Sequence, residues 1–368
     1  MNGLSIWLPP FASDYSGAAS VLEGMKCFTV FLDAACCTKA YSEYDNPSWS
    51  GGIRTVLSAK FSSTEITLGL DEELISQITK SAKALDSNLI ALIGTPVSSV
   101  CGMDEAGMAA QIEGVLGIPC IGINTKGFYT YESGAAAAMT AVLKKAAERY
   151  LKTPENNLIT ADGDSITDII PDSVNLLGIN PLDYGDAGSL DRIIRNIEHL
   201  GQKINCVFPG RSSFYELARI GSASENLVFS VSAVPAAEYL EKTHGTPWRF
   251  ASLSADITLP RSRILILTGD QVITSSIRRL YREQGYTGHI ICASFFNAYD
   301  SLFEPLDLCL KSEEDYAAML KLYPDCAVLG DPLLKLVPET SSHEFLPFTH
   351  PAVSGRLGFE NAAPLSLK

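Results

Sequence analysis

The chain is 368 residues long and 46% hydrophobic, with 28 basic against 42 acidic residues and a formal charge of −14. That length fits two or three domains rather than one core, and no run of about 18 apolar residues offers a membrane span. The acidic balance, with no Lys/Arg cluster to offset it, repels phosphate backbones and argues against nucleic acid. The opening Met1–Pro10 lacks a basic stretch and is broken by two prolines, so no signal peptide is expected. Nine cysteines are scattered rather than spaced as a disulfide framework. Cys120, Cys206, Cys292 and Cys326 sit in apolar runs and read as small buried hydrophobes in a reducing cytoplasm.

In chain order, an apolar strand beginning at Cys27 runs into the adjacent thiols Cys36 and Cys37. Asp71–Leu85 places Leu74, Ile75, Ile78, Ala82 and Leu85 at helical spacing. Asn88–Ile93 then reads as a strand, Glu105–Leu116 as a helix, Pro119–Asn124 as a strand, and Ala135–Leu151 as a helix with a basic last turn. After a polar connection over Thr153–Asp172 the rhythm restarts. Strands are predicted at Ser173–Ile179, Lys203–Phe208 and Asn226–Val231, with helices at Ser189–Leu200, Ser212–Ile220 and Ala233–His244. A second break at Ala251–Ser262 precedes strands at Arg263–Leu267, His289–Ala293, Asp325–Leu329 and Glu344–Phe348 and helices at Gln271–Gln284 and Ser312–Leu322. Strand–helix–strand units at this spacing imply parallel pairing through right-handed crossovers. The predicted architecture is α/β: three Rossmann-like units over residues 1–152, 153–255 and 256–368.

Ligands of open α/β sheets bind beyond the carboxyl ends of strands. The loops there include Asp33–Thr38, Gly94–Gly102, Asn124–Gly127, Asn180–Asp186 and Gly269-Asp270. No P-loop, G-x-G-x-x-G, G-x-S-x-G, H-E-x-x-H or C-x-x-C is present, so no ATP site is expected in this chain. His199 and His244 fall near helix C-termini, where cations offset the dipole. Asp33, Asp186 and Asp270 are acid/base candidates beside the plainer reading of turn or N-cap carboxylates. His350 is a candidate proton donor if it faces a crevice between units. One C-C pair is not by itself a metal motif, and consecutive side chains are expected to diverge.

Several segments carry a resemblance: Pro9-Pro-Phe11, Asp14-Tyr-Ser-Gly-Ala18, Cys37-Thr38, Tyr44-Asp45 with Pro47 and Trp49, Gly117-Ile-Pro119, Asn124-Thr-Lys-Gly-Phe128, Val174–Gly178, Gly245-Thr-Pro247 and Phe345–Pro351. Together and in order they resemble the nitrogenase component 1 family, which includes dark-operative protochlorophyllide reductase subunits and cofactor-assembly homologues. The resemblance implies an oxidoreductase subunit paired with a second component 1 subunit. It further implies a [4Fe–4S] cluster at the subunit interface, fed by an ATP-dependent iron-protein reductase. The family's three cluster-cysteine positions fall on Ser13, Cys37 and Pro96, so one thiol is kept. Cys37 is then the expected ligand, turned outward, with Cys36, Ser13, Asp14 or Cys101 as further donors. A cluster takes four ligands, usually thiolates, so a cysteine-richer partner in a heteromer is favoured over a homodimer. The cofactor-holding cysteine of nitrogenase falls near Ser230, so no molybdenum–iron cofactor and no dinitrogen reduction are expected. A non-catalytic scaffold or assembly role is the alternative.

Overall fold

The computed structural model describes residues 5–23, 25–46, 56–62, 65, 71–85, 87–150, 168–185, 187–357 and 365–367. Asp186, Pro47, Trp49 and most of the 153–172 connection therefore lie outside the described residues. Three separate parallel sheets form. The first joins β1 (Cys27–Phe31), β2 (Val56–Ser58), β3 (Leu89–Ile93) and β4 (Cys120–Ile123) in the order β2-β1-β3-β4. The second joins β5 (Ile170–Leu177), β6 (Lys203–Phe208), β7 (Ala223–Val228) and β8 (Trp248–Phe250) in the order β6-β5-β7-β8. Beyond a short strand β9 (Leu253–Ala255), the third comprises β10 (Ile264–Thr268), β11 (His289–Ser294), β12 (Leu308–Cys309), β13 (Cys326–Gly330) and β14 (Glu344–Pro347), ordered β12-β11-β10-β13-β14. Every pairing within the three is parallel. The central strands β1 and β3 are buried along their whole length, which is why they read as unbroken apolar runs.

Helix ends follow local chemistry. Glu105–Leu116 is capped by Asp104, whose side chain accepts the Gly107 amide, and ends on Gly117 at φ 67°. Val234–His244 ends on Gly245 at φ 72°. His244 is half-buried and burial pushes its imidazole below the usual range, which weakens it as a partner for the helix dipole. The helix predicted over Ser212–Ile220 is instead a 3-10 turn at Glu216–Ser222. There Asn205 and Asn175 of the neighbouring strands donate to the carbonyls of Arg219 and Ile220, which ties the turn to the sheet.

Helix Tyr131–Tyr150, a turn longer at its start than expected, lies between the first two sheets. It buries Ala135, Ala138, Met139, Val142, Leu143 and Ala146 in a cluster shared with Phe31 and Ile93 of one sheet and Leu177 and Phe208 of the other. Its three larger side chains contribute about 1.5–3 kcal/mol each by burial. The opening segment leaves the first unit: Leu8 packs with Ile266, Ile291 and Val328 of the third. Glu313 there accepts the amides of Trp7 at 3.0 Å and Leu8 at 2.9 Å. At the other end β15 (Leu365–Leu367) pairs antiparallel with β9. No helix among the described residues is long and apolar enough to cross a membrane.

Candidate functional site: a thiol loop and a buried acid junction

Strand β1 delivers the chain to Asp33, which is fully buried. Its carboxylate accepts the Thr38 amide at 2.8 Å, the Thr38 hydroxyl at 3.0 Å and the Ser58 hydroxyl at 2.5 Å. Asp33 is therefore the turn carboxylate of the plainer reading, closing the loop that carries the thiols. Ala35 sits at φ 87°, left-handed without being glycine, a conformation that costs about 1–2 kcal/mol. The short helix Cys36–Ala40 follows.

Two expectations for this loop are corrected. Cys37 is not turned outward: it is 7% exposed and joins the cluster holding Phe31 and Tyr41, while Cys36 is the exposed thiol. Nor do the two diverge, for their sulfurs lie 3.8 Å apart. A tight helical start after a left-handed residue, rather than the alternation of a strand, decides this. Burial, then the neighbouring Cys36 and Asp33, pushes the Cys37 thiol up to about 12.

Ser13 precedes helix Asp14–Leu22 and its Oγ is buried without a hydrogen-bond partner among the described residues. Asp14 accepts the amides of Lys126 at 3.0 Å and Gly127 at 2.7 Å, which ties the start of its helix to the loop after β4. Tyr15 lies beside both Ser13 and Cys37, its phenol pushed up to about 12 by burial. A Cβ on Gly127 (φ 73°) would overlap the Pro96 ring and touch the Tyr15 ring at 3.4 Å. Thr95 ties the Pro96 loop to the end of β1 by donating to the Leu32 carbonyl at 2.7 Å. Ser13, Cys37 and Pro96 thus converge around Tyr15, which the sequence offered only as part of the Asp14–Ala18 segment and not as a site residue. Cys101 is exposed at the end of helix Pro96–Val100 and joins no such group among the described residues. A groove of about 630 Å³ opens beside them, lined in part by Pro9, Ser13, Tyr15, Tyr44, Asp45 and Phe128. Burial pushes the carboxyl of Asp45, which accepts from Ser16, up to about 6.

A second constellation lies where the three units meet. Tyr131 donates to Asp183, and Glu132 accepts the Asn297 amide at 2.6 Å. His350 stacks on Phe296 with ring centroids 4.8 Å apart, its Nε2 3.7 Å from Asp183. Burial raises Asp183 and Glu132 well above the usual carboxylate range and pushes His350 down to about 3. A histidine that is 2% exposed and neutral at ordinary pH does not serve as a proton donor to a crevice, so that expectation is corrected. Asp270 caps helix Gln271–Glu283, accepting the Val272 and Ile273 amides, as the plainer reading has it. Ser230, at the nitrogenase cofactor-cysteine position, is buried and hydrogen-bonded to Ser232 at 2.7 Å. Glu132 and Asp183 carry no local sequence signal, because only tertiary packing removes them from water.

Three parallel-sheet α/β units, with a dithiol loop after the first strand of the first unit, define the class. The fold is that of solved structures described as Nitrogenase Cp1: at pH 6.5 the TM-score is 0.72 with 13% identity over 98% of this chain and 90% of that one. At pH 5 it is 0.69 with 14% identity over 99% and 86%. The chain belongs to the nitrogenase component 1 type oxidoreductase family, whose profile matches residues 13–254. It is 24% identical over 236 residues to a subunit of the light-independent protochlorophyllide reductase of Picosynechococcus sp., covering 62% of this chain and 44% of that protein. To the corresponding protein of Huperzia lucidula it is 28% identical over 184 residues, covering 50% and 35%. The chain spans less than half the length of these curated relatives.

Proposed function

We propose that this chain is a component 1-type subunit of a nitrogenase-like oxidoreductase that reduces an unidentified substrate other than dinitrogen. Low-potential electrons come from an ATP-dependent iron-protein reductase, and the chain pairs with a second component 1 subunit, a heteromer rather than a homodimer. The observation that carries this reading is the convergence of Ser13, Cys37 and Pro96 around Tyr15, in a chain of this family. The rim supports pairing, since Tyr44, Phe128 and Tyr129 are exposed beside the groove, and aromatic side chains are enriched at interfaces. The relatives' names, each that of one subunit of a reductase, point the same way.

A [4Fe–4S] cluster takes four ligands. With Ser13 and Pro96 at two of the three positions, this chain fits one side of a shared cluster and not a whole one. Cys37 would hold that side, and the remaining thiolates would come from the second subunit; the cluster itself would supply one-electron transfer. The burial of Cys37 and the filled, acid-lined junction favour a second reading, a scaffold or cluster-assembly subunit without turnover. Anaerobic co-purification with the partner subunit, iron and sulfide quantification, and EPR of wild type and Cys37→Ala test the redox reading. Stoichiometric iron and sulfide that vanish in Cys37→Ala are expected. Equal metal content in both proteins, or none in either, refutes it.

A further inference from the structure

The spacing of the two sulfurs carries more than the family resemblance does. Thiolates 3.8 Å apart, each about 2.3 Å from one ion, subtend about 110° there, close to the tetrahedral angle. A carboxylate oxygen of Asp33 lies within 4.8 Å of both sulfurs, and no other such trio of His, Cys, Asp or Glu occurs among the described residues. The trio is built rather than incidental. Asp33 is pinned by Thr38 and Ser58, and the left-handed Ala35 starts the helix that sets Cys36 and Cys37 against each other. Lys39, the cation on that helix, pairs with Glu43 at 3.8 Å. Cys36 is exposed and gives an ion a way in, while Cys37 closes the inner side.

We propose that Asp33, Cys36 and Cys37 form a mononuclear site for a thiophilic divalent cation of the Zn²⁺ or Fe²⁺ kind, with its fourth position open to water or to a donor from a partner. Binding displaces one proton from each thiol, and no electron moves. This occupancy is that of the unpaired chain and excludes the shared cluster at the same sulfur: the site requires Cys36 as much as Cys37, whereas the electron-transfer reading leans on Cys37 alone.

Cobalt(II) titration of the full chain, purified reduced and free of metal, tests it. One Co²⁺ per chain is expected, with thiolate-to-metal charge transfer and the intense ligand-field absorption of a tetrahedral site, both reversed by Zn²⁺. Cys36→Ser, a change at an exposed position, loses these bands, and Cys101→Ser keeps them. Absent bands, bands that survive in Cys36→Ser, or loss in Cys101→Ser overturns the proposal. Such a failure leaves the iron and sulfide measurement on the two-subunit complex standing, because that measurement turns on Cys37.

Discussion

Helix Asp14–Leu22 holds Tyr15 in the site with Ser13 just before it, and helix Tyr131–Tyr150 holds Tyr131 and Glu132 in the junction. The two cross at paired glycines. A Cβ on Gly17 would fall inside the envelope of the Tyr131 carbonyl, and one on Gly134 inside that of Asp14. The perturbation is Gly17→Ala. Helix propensity alone favours alanine by about 1 kcal/mol. Overpacking typically costs about 1–3 kcal/mol, and here the obstacle is backbone rather than a flexible side chain, so the cost falls at or above the upper end. The net expectation is destabilisation by about 2 kcal/mol or more. Gly114 is the control: it sits in helix Glu105–Leu116 with nothing among the described residues within 4 Å of a Cβ, so Gly114→Ala should stabilise by up to about 1 kcal/mol. Urea unfolding followed by both circular dichroism and fluorescence reads the two variants. Were Gly17→Ala to unfold at the wild-type midpoint or later, the inference that these helices touch backbone to backbone would be wrong.

Asp183 and Glu132 have folded pKa values raised by burial, and Asp270 is raised to about 6. Their stabilisation is therefore full below the unfolded carboxylate values and declines as pH rises through the folded ones. Asp183→Asn keeps an acceptor for the Tyr131 hydroxyl but cannot ionise, so its stability should fall less than wild type's between acidic and alkaline buffers, as measured by urea midpoints across that range. Glu313→Ala removes the acceptor of the Trp7 and Leu8 amides. Hydrogen exchange resolved to that segment should accelerate while the third sheet keeps its protection. Gly127→Ala meets a left-handed φ and the Pro96 ring together. A loss of more than about 1–2 kcal/mol is expected, with altered accessibility of Cys36 to a thiol reagent.

Much of this architecture was legible locally. Glu105–Leu116 and Lys203–Phe208 match their predicted bounds, because hydrophobic period and flanking cap or turn residues are properties of short stretches. The buried cysteines of β4, β6, β11 and β13 followed from their apolar neighbours. The thiol loop was visible as a place but not as a geometry. Which sulfur faces water, and that both face each other, depends on one left-handed residue and on what packs over Cys37. Nor could the chain order alone assign the opening segment to the third unit, or gather Tyr131, Asp183 and His350 from three units. Those facts arise from contacts between residues far apart in the chain, and burial acts on a charge only once distant segments have displaced its water.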